Sequence, residues 1–250
     1  MKDQILCEEI LNFSIVCDSV TDIVQVSLAR DKITVVNTLN AHSYIVQKSN
    51  NEFKEALNNS TYLIPDGSGL IFASKILNYK RIKKISGYDF FIETLFQLNN
   101  TNGKIFLLGS TNEVLSEIKS RMSNEYPNIE CEYLSPPFKS SFTEEDEEEF
   151  VKRIKIFSPD AIFIGLTAPK QEIVINKIYK NFDAGLISGI GAVFDFYSKK
   201  IKRPNKFFLF FHLEWLGRFI KNPVKMFDRV FVSMPLFILE VIKLKIFRDK

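Results

Sequence analysis

Polar side chains follow two predicted strands in the first third of the chain. The β-branched run Ile33–Val36 is typical of a buried strand, and Thr38 and Asn40 come just after it. A second apolar run, Tyr62–Ile64, precedes the sequence PDGSG, whose carboxylate is Asp66. Because open α/β sheets bind ligands at the carboxyl ends of their strands, we expect these side chains to share one crevice. The alternative is that Pro-Asp-Gly forms only a turn, which is its commonest role.

A single carboxylate beside polar groups suits glycosyl transfer with inversion at the anomeric carbon. That reaction needs one base for the acceptor hydroxyl, and Asp66 is the candidate base, an assignment that rests on a family resemblance as much as on this chemistry. It also needs cations or N–H dipoles to stabilise the leaving diphosphate, which leaves without protonation. The sequence has no P-loop, no His/Cys cluster for zinc and no Asp-x-Asp pair for a divalent ion. We therefore expect an enzyme that uses no cofactor and no metal.

Strands alternate with helices through most of the chain, which predicts a Rossmann-like α/β fold. The sheet is expected to be mostly parallel, with helices on both faces. One turn from strand to helix contains Gly109, and its N–H groups suit a phosphate, although every such unit has a turn of this kind. Further predicted strands are Asn12–Val16, Lys104–Leu108, Ile129–Leu134, Ala161–Gly165 and Gly185–Ser188.

The charge of the chain is unevenly distributed. Residues 199–250 contain 13 Lys/Arg against 4 Asp/Glu, a net charge of +9, whereas residues 1–198 carry a net charge of −6. The basic part also contains nine Phe. We therefore divide the chain into an α/β catalytic core, 1–198, and a basic, Phe-rich appendage, 199–250. An anionic membrane surface is its expected partner.

The appendage contains an apolar stretch, Val230–Leu239, that is interrupted by Pro235 and ends at Glu240. This stretch is too short to span a bilayer. It predicts a helical, membrane-associating segment that lies in the interface. The alternative, which does not exclude the first, is a helical subdomain packed on the core.

The cysteines, the N-terminal residues and the histidines of the sequence make several classes of protein and site less expected. The cysteines Cys7, Cys17 and Cys131 lack metal-ligand spacing, so we expect reduced thiols in a cytosolic protein. No signal peptide is expected, because two glutamates interrupt the only early apolar run. The basic tail lacks a nucleic-acid-binding motif, so nucleic acid is not an expected partner. His42, one of two histidines, is predicted to be a surface or helix-cap residue.

Five short motifs occur in a fixed order along the chain. They are N-x-x-N at Asn37–Asn40, PDGSG at Pro65–Gly69, GLTAPKQE at Gly165–Glu172, GIGAVFDFYSKKIKRP at Gly189–Pro204 and LEWLGR at Leu213–Arg218. Together they resemble the WecG/TagA/CpsF family of bacterial glycosyltransferases, and the resemblance covers roughly residues 30–230.

The resemblance implies a UDP-sugar-dependent enzyme on the cytoplasmic face of the bacterial plasma membrane. Such enzymes typically add N-acetylmannosamine, or its uronic acid, to N-acetylglucosamine on polyprenyl diphosphate. The products are intermediates of teichoic acid, enterobacterial common antigen or capsule. The implied catalytic residues are Asp66, Thr38 and Asn40. The predicted substrate-binding residues are Gln171, Lys84 (often Arg in the family), Gly109, Gly189, Gly191, Arg203, Arg218 and Arg229.

Two alternative functions stay open at this point. A glucosyltransferase of the same fold would use another UDP-sugar, and nothing in the sequence separates it from the first interpretation. A non-catalytic nucleotide-binding module, tethered to the membrane by its tail, would bind UDP without turnover. Association into a homo-oligomer is also left open.

Overall fold

The computed structural model describes residues 4–29, 31–77, 82–183, 185–200, 219 and 223–248. Eight strands in these residues form one sheet. In chain order they are β1 Cys7–Ile10, β2 Phe13–Val16, β3 Thr34–Leu39, β4 Tyr62–Pro65, β5 Lys104–Leu108, β6 Glu130–Leu134, β7 Ala161–Ile164 and β8 Leu186–Gly189.

The sheet has the strand order β1-β2-β4-β3-β8-β7-β5-β6. Strand β1 pairs with β2 in antiparallel fashion, and every other pair is parallel. The predicted Rossmann-like, mostly parallel sheet is thus confirmed. The carboxyl ends of the parallel strands consequently meet at one edge of the sheet, which we call the catalytic edge.

Helices cover both faces of the sheet, as predicted. They are α1 Val20–Leu28, α2 Ala41–Val46, α3 Asn51–Asn58, α4 Ser68–Ile76, α5 Gly87–Thr101, α6 Asn112–Glu125, α7 Glu144–Phe157, α8 Lys170–Ile178, α9 Val193–Tyr197, α10 Pro223–Phe227 and α11 Met234–Arg248. A short 3-10 helix covers Tyr179–Asn181, and a π-helical segment, Asp228–Ser233, joins α10 to α11.

Successive strand residues pack on opposite faces of the sheet. Val36 and Phe163 lie in the cluster that includes α1, α5, α6 and α9. Their neighbours Val35 and Ile162 lie in the cluster that includes α7 and α8. Because both faces are buried, the central strands are apolar throughout, which is typical of parallel sheets.

The C-terminal helix packs on the core. Phe237 and Val241 of α11 are fully buried in a cluster with residues of α2, α3 and α4. The Phe237 ring meets Tyr44 of α2 edge-on, with 5.4 Å between centroids. Within the described part of the chain, no helix is long and apolar enough to cross a bilayer. Residues 223–248 therefore correspond to the packed helical subdomain of the second alternative.

Two predictions about the strands are wrong in detail. Strand β3 continues to Leu39, so Thr38 lies inside the strand rather than after it. The strand predicted at Asn12–Val16 begins one residue later, at Phe13, and lies inside the sheet, because β1 forms the edge. Leu11 and Asn12 have positive φ angles of 57° and 64° and form the two-residue turn of the β1–β2 hairpin.

Candidate active site

Asp66 is held where β4 ends. Its backbone N–H donates to the Leu39 carbonyl of β3 at 2.9 Å, which extends the pairing of the two strands by one step. The preceding carbonyl, that of Pro65, accepts from the Ile85 N–H at 2.9 Å. Asp66 is therefore fixed between the end of β3 and the segment that contains Lys84. The structure brings these two predicted site residues to the same place.

The turn after Asp66 depends on glycine. Gly67 has a φ of 82°, which glycine adopts without the strain that a Cβ atom would cause. A Cβ at Gly69 would lie 2.9 Å from the Cβ of Ala41, so the first turns of α4 and α2 approach closely. The PDGSG sequence is thus a turn, as the alternative stated, and the turn also presents a carboxylate at the catalytic edge.

Asn40 is the N-cap of α2. Its side-chain oxygen accepts from the Ser43 N–H at 3.0 Å, and the Ser43 hydroxyl accepts from the Asn40 N–H at 2.8 Å. Its Cβ lies 3.9 Å from the position that a Cβ on Gly67 would occupy. The capping bond fixes the amide beside the Asp66 turn, with its NH₂ group as the part that can donate to a ligand.

Thr38 lies near the end of β3, and its side chain is on the face of the sheet that packs against α5. Its methyl group lies 3.8 Å from the position that a Cβ on Gly87 would occupy, at the start of α5. Thr38 is next in sequence to Leu39, whose carbonyl accepts a hydrogen bond from the Asp66 N–H. The Thr38 side chain, however, lies on the α5 side of the sheet.

Gln171 fixes the turn that follows β8. Its side-chain oxygen accepts from the Gly191 N–H at 2.8 Å. A Cβ at Gly189 would lie 2.9 Å from the Gln171 amide carbon, so only glycine leaves room for this side chain. Gln171 is itself buried, with 3% of its surface exposed. The structure thus brings three predicted residues, Gln171, Gly189 and Gly191, into one unit.

Glu172 is a site residue that the sequence interpretation missed. Only 2% of its surface is exposed, and its Oε1 accepts from the Gln171 NH₂ group at 2.9 Å. Its second oxygen, Oε2, has no hydrogen-bond partner among the described residues. Burial raises the pKa of Glu172 to about 7, although the Gln171 amide and the charge of Arg229 act in the opposite direction. Perturbed carboxyl groups of this kind concentrate at functional sites.

The π-helical segment, which contains Arg229, packs against α2 at the catalytic edge. The positive charge of Arg229 acts to lower the pKa of both Glu172 and His42. Ser233 bonds His42 Nδ1 at 2.8 Å, and Met234 lies 3.7 Å from the position that a Cβ on Gly69 would occupy. The appendage therefore contacts the turn that carries Asp66.

His42 is not the surface residue that the sequence predicted. It is partly buried between α2 and the π-helical segment, where it binds Ser233. Burial lowers its pKa to about 4, and the positive charge of Arg229 acts in the same direction. The imidazole is therefore neutral at pH 7 and holds the appendage by a hydrogen bond rather than by charge.

Gly109 has a packing role in the structure. A Cβ there would lie 2.8 Å from the Gly165 carbonyl oxygen, and its N–H donates to the Leu134 carbonyl. Its phosphate-binding role stays a prediction, and that N–H is already used. Arg203 and Arg218 fall outside the described residues, so their predicted roles also stay predictions.

The catalytic edge thus combines a carboxylate, fixed amide groups and cationic side chains. Asp66 can accept a proton, Asn40 can orient a sugar, and Lys84 and Arg229 can neutralise a diphosphate. Within the described ranges no group of three or more His, Cys, Asp or Glu side chains could hold a metal ion. The prediction of metal independence still needs its own test.

Comparison with known proteins gives consistent results. Residues 8–250 match the model of the family described as "Glycosyl transferase WecG/TagA/CpsF family". Three relatives are all named N-acetylglucosaminyldiphosphoundecaprenol N-acetyl-beta-D-mannosaminyltransferase. The Bacillus spizizenii protein is 29% identical over 86% of this chain and 81% of its own length. The Bacillus subtilis protein is 30% identical over 84% and 79%, and the Staphylococcus aureus MW2 protein 31% over 77% and 73%.

The family match includes every element that forms the catalytic edge, from β2 to α11. The match also covers the appendage, so the helices of the appendage are part of the region that the family model describes. From its fold, its motifs and this match, the chain belongs to the WecG/TagA/CpsF family of glycosyl transferases.

Proposed function

We propose that this protein transfers N-acetylmannosamine, or its uronic acid, from a UDP-linked donor to N-acetylglucosamine on polyprenyl diphosphate. The observation that carries the proposal is the fixed position of Asp66 where β4 ends, beside Asn40 and within reach of the appendage. The names of the three relatives, each an N-acetylmannosaminyltransferase, support the choice of sugar and acceptor. Teichoic acid synthesis is the process that such a product would feed.

In the proposed mechanism Asp66 is the general base. Its carboxylate takes the proton of the acceptor hydroxyl as that oxygen attacks the anomeric carbon. The bond between the anomeric carbon and the diphosphate breaks, and its electron pair leaves with UDP, so the configuration inverts. Lys84 and Arg229 stabilise the charge that develops on the diphosphate. Asn40 and Thr38 orient the sugars, and Gln171 keeps the turn after β8 in place.

The proposed location is the cytoplasmic face of the plasma membrane, where a lipid-linked acceptor meets a nucleotide donor. The part of α11 that does not pack on the core supports this location, because it exposes large apolar side chains such as Leu239 and Ile246. Lys243 and Lys245 are on the same helix and suit an anionic leaflet. A homo-oligomer stays a prediction.

The experiment that tests the proposal is a panel of donors. The protein is incubated with a short-chain lipid-diphosphate N-acetylglucosamine and, separately, with UDP-linked N-acetylmannosamine, its uronic acid, N-acetylglucosamine or glucose. Mass spectrometry of the lipid should show one added N-acetylmannosamine or uronic acid unit. Transfer of glucose alone would support the glucosyltransferase alternative. UDP binding without any product would support the non-catalytic module.

Transfer should survive chelation of divalent ions. The sequence has no Asp-x-Asp pair, and Lys84 and Arg229 supply positive charge for the diphosphate. We therefore expect the same initial rate with and without EDTA in a buffer freed of metal. A rate that falls on chelation and returns with magnesium or manganese would show that the mechanism lacks an essential ion.

A further inference from the structure

Tyr197, the last residue of α9, is held by two side chains of α6. Arg121 donates from Nη1 to the Tyr197 carbonyl at 2.6 Å, and its guanidinium carbon lies 4.2 Å from the centre of the Tyr197 ring. The Tyr197 hydroxyl donates to Glu125 Oε2 at 3.0 Å. Arg121 Nε donates to Glu125 Oε1 at 2.7 Å, so the three side chains form a closed set of contacts, which we call the α6–α9 clamp.

The contacts with Tyr197 matter more than the ion pair in this clamp. Arg121 and Glu125 are partly exposed, and such a pair at four-residue spacing on a helix adds little stability by itself. Tyr197 is fully buried, and its ring meets Phe91 of α5 edge-on with 5.3 Å between centroids. Burial raises the pKa of Tyr197, and the bond to Glu125 acts in the same direction, so the hydroxyl stays a donor at neutral pH.

Helix α9 depends on a partner at its carboxyl end. It has only five residues, too few to be stable as an isolated helix. An arginine that donates to a terminal carbonyl also complements the negative end of the helix dipole. Two residues after Tyr197 the chain turns at Lys199, whose φ of 63° is unfavourable for a residue with a Cβ atom. The clamp therefore lies directly before the turn at which the appendage begins.

The other end of α9 belongs to the catalytic edge. The Phe194 ring fills the space beside Gly165, where a Cβ atom would lie only 2.2 Å from a ring carbon. The Gly191 N–H, two residues before α9, donates to the Gln171 side chain at 2.8 Å. At 1.5 Å per residue, α9 spans about 7.5 Å between this turn and the clamp. One short helix therefore joins the turn after β8 to the start of the appendage.

We propose that Arg121 is a positioning residue that fixes the turn after β8 and the start of the appendage through α9. The clamp holds the last residue of a helix whose first residues pack at the catalytic edge, so loosening the clamp should loosen both ends of the helix. The turn contains Gly189 and Gly191, which are predicted to bind substrate. The part of the proposal that concerns substrate binding therefore rests on the proposed function, whereas the part that concerns α9 does not.

Hydrogen exchange in the full chain is the central experiment. In Arg121→Ala, the N–H groups of Ser198 and Lys199, which donate to carbonyls of α9, should exchange about tenfold faster than in the wild type. The Gly191 N–H should also exchange faster, although its bonding partner lies outside the clamp. Arg153→Ala is the matched control, because Arg153 is an exposed arginine of α7, and it should change neither rate.

Calorimetric titration with UDP gives a readout that stabilisation of the helix end alone would not change. Arg121→Ala should bind UDP about tenfold more weakly than the wild type, and Arg153→Ala should bind it equally well. Tyr197→Phe keeps the ring and the carbonyl contact and removes only the hydroxyl bond to Glu125. It should show a loss of about three- to fivefold in both measurements, and it decides the matter if Arg121→Ala fails to fold.

Two results would overturn the proposal. Faster exchange at Ser198 and Lys199 with unchanged exchange at Gly191 would mean that Arg121 stabilises only the end of α9. Unchanged affinity for UDP in both variants, with a wild type that binds it, would mean that the clamp does not affect the substrate site. If the wild type neither binds UDP nor transfers sugar, the proposed function fails, and exchange at Gly191 still decides whether the clamp acts through α9.

Discussion

Asp66→Asn is expected to lower the rate of transfer by about 10²–10⁴-fold, which is the typical effect of removing a general base. The substitution keeps the size of the side chain but removes the group that accepts the proton. The backbone bond from residue 66 to the Leu39 carbonyl does not depend on the side chain, so the turn should keep its shape. Initial rates with the lipid-linked acceptor measure the effect, and calorimetry should show UDP binding close to that of the wild type.

Asp160→Asn is the matched control for this substitution. Asp160 comes just before β7, at the opposite edge of the sheet, where its Oδ2 accepts from the Lys104 N–H at 2.7 Å. This variant should transfer sugar at the wild-type rate, because it changes the same chemical group far from the catalytic edge. Near wild-type turnover in Asp66→Asn would show that another group is the base. Equal losses in both variants would indicate a general effect on folding.

Much of the catalytic edge could be predicted from local sequence. Apolar runs followed by polar residues locate the ends of parallel strands, and parallel strands bring those ends together. This reasoning placed Asp66 and Asn40 in one crevice, and the structure has them side by side. The turn at Pro65–Gly67 also follows from the sequence, and Gly67 adopts the positive φ angle that this turn requires.

Glu172 and His42 could not be recognised in the same way. A glutamate in the first turn of a helix is normally exposed and favoured there by the helix dipole. Its burial depends on how α8 packs against the sheet and the neighbouring helices. The bond between His42 and Ser233 joins residues 191 positions apart, and no local pattern predicts such a contact. The environment of His42 depends on where the appendage lies, which composition alone left open.

Strand β1 was missed for a different reason. Its sequence, CEEI, places two charged residues at its centre, so it lacks the alternation that marks a half-buried strand. Charged residues are common on edge strands because they discourage pairing with other molecules. The hairpin with β2, rather than the hydrophobic pattern of β1, determines its position.

Helix α11 has two apolar sides with different environments. Phe237 and Val241 lie four residues apart and are fully buried on the core. The exposed side continues the exposed Phe side chains of α10 and the π-helical segment. Across α10, the π-helical segment and α11, the large apolar residues exposed by more than a third of their surface are Phe227, Phe231, Val232, Leu236, Leu239, Ile242, Leu244, Ile246 and Phe247. A helix of this kind suits the boundary between protein and lipid.

Replacing three exposed residues should separate membrane binding from catalysis. In Phe231→Ser/Leu239→Ser/Ile246→Ser, each replaced side chain is about half exposed, at 54%, 54% and 52%. Full burial of such a side chain is worth about 1.5–3 kcal/mol. Even half of that at three positions gives roughly 2–4 kcal/mol, or about 30- to 10³-fold weaker binding to anionic vesicles. Vesicle sedimentation measures it, and transfer to a water-soluble acceptor should be unchanged.

Phe237→Ala is the contrasting variant, since it changes the buried side of the same helix. It should lower the free energy of unfolding by about 3–5 kcal/mol, the usual result of removing a buried Phe, while folded protein still binds vesicles. A protein shortened to Lys199 would be less informative, because it would also uncover the Tyr44 ring. If the triple variant binds vesicles as tightly as the wild type, the exposed side of α11 does not face the membrane. If it also loses transfer to the soluble acceptor, that side instead contributes to catalysis.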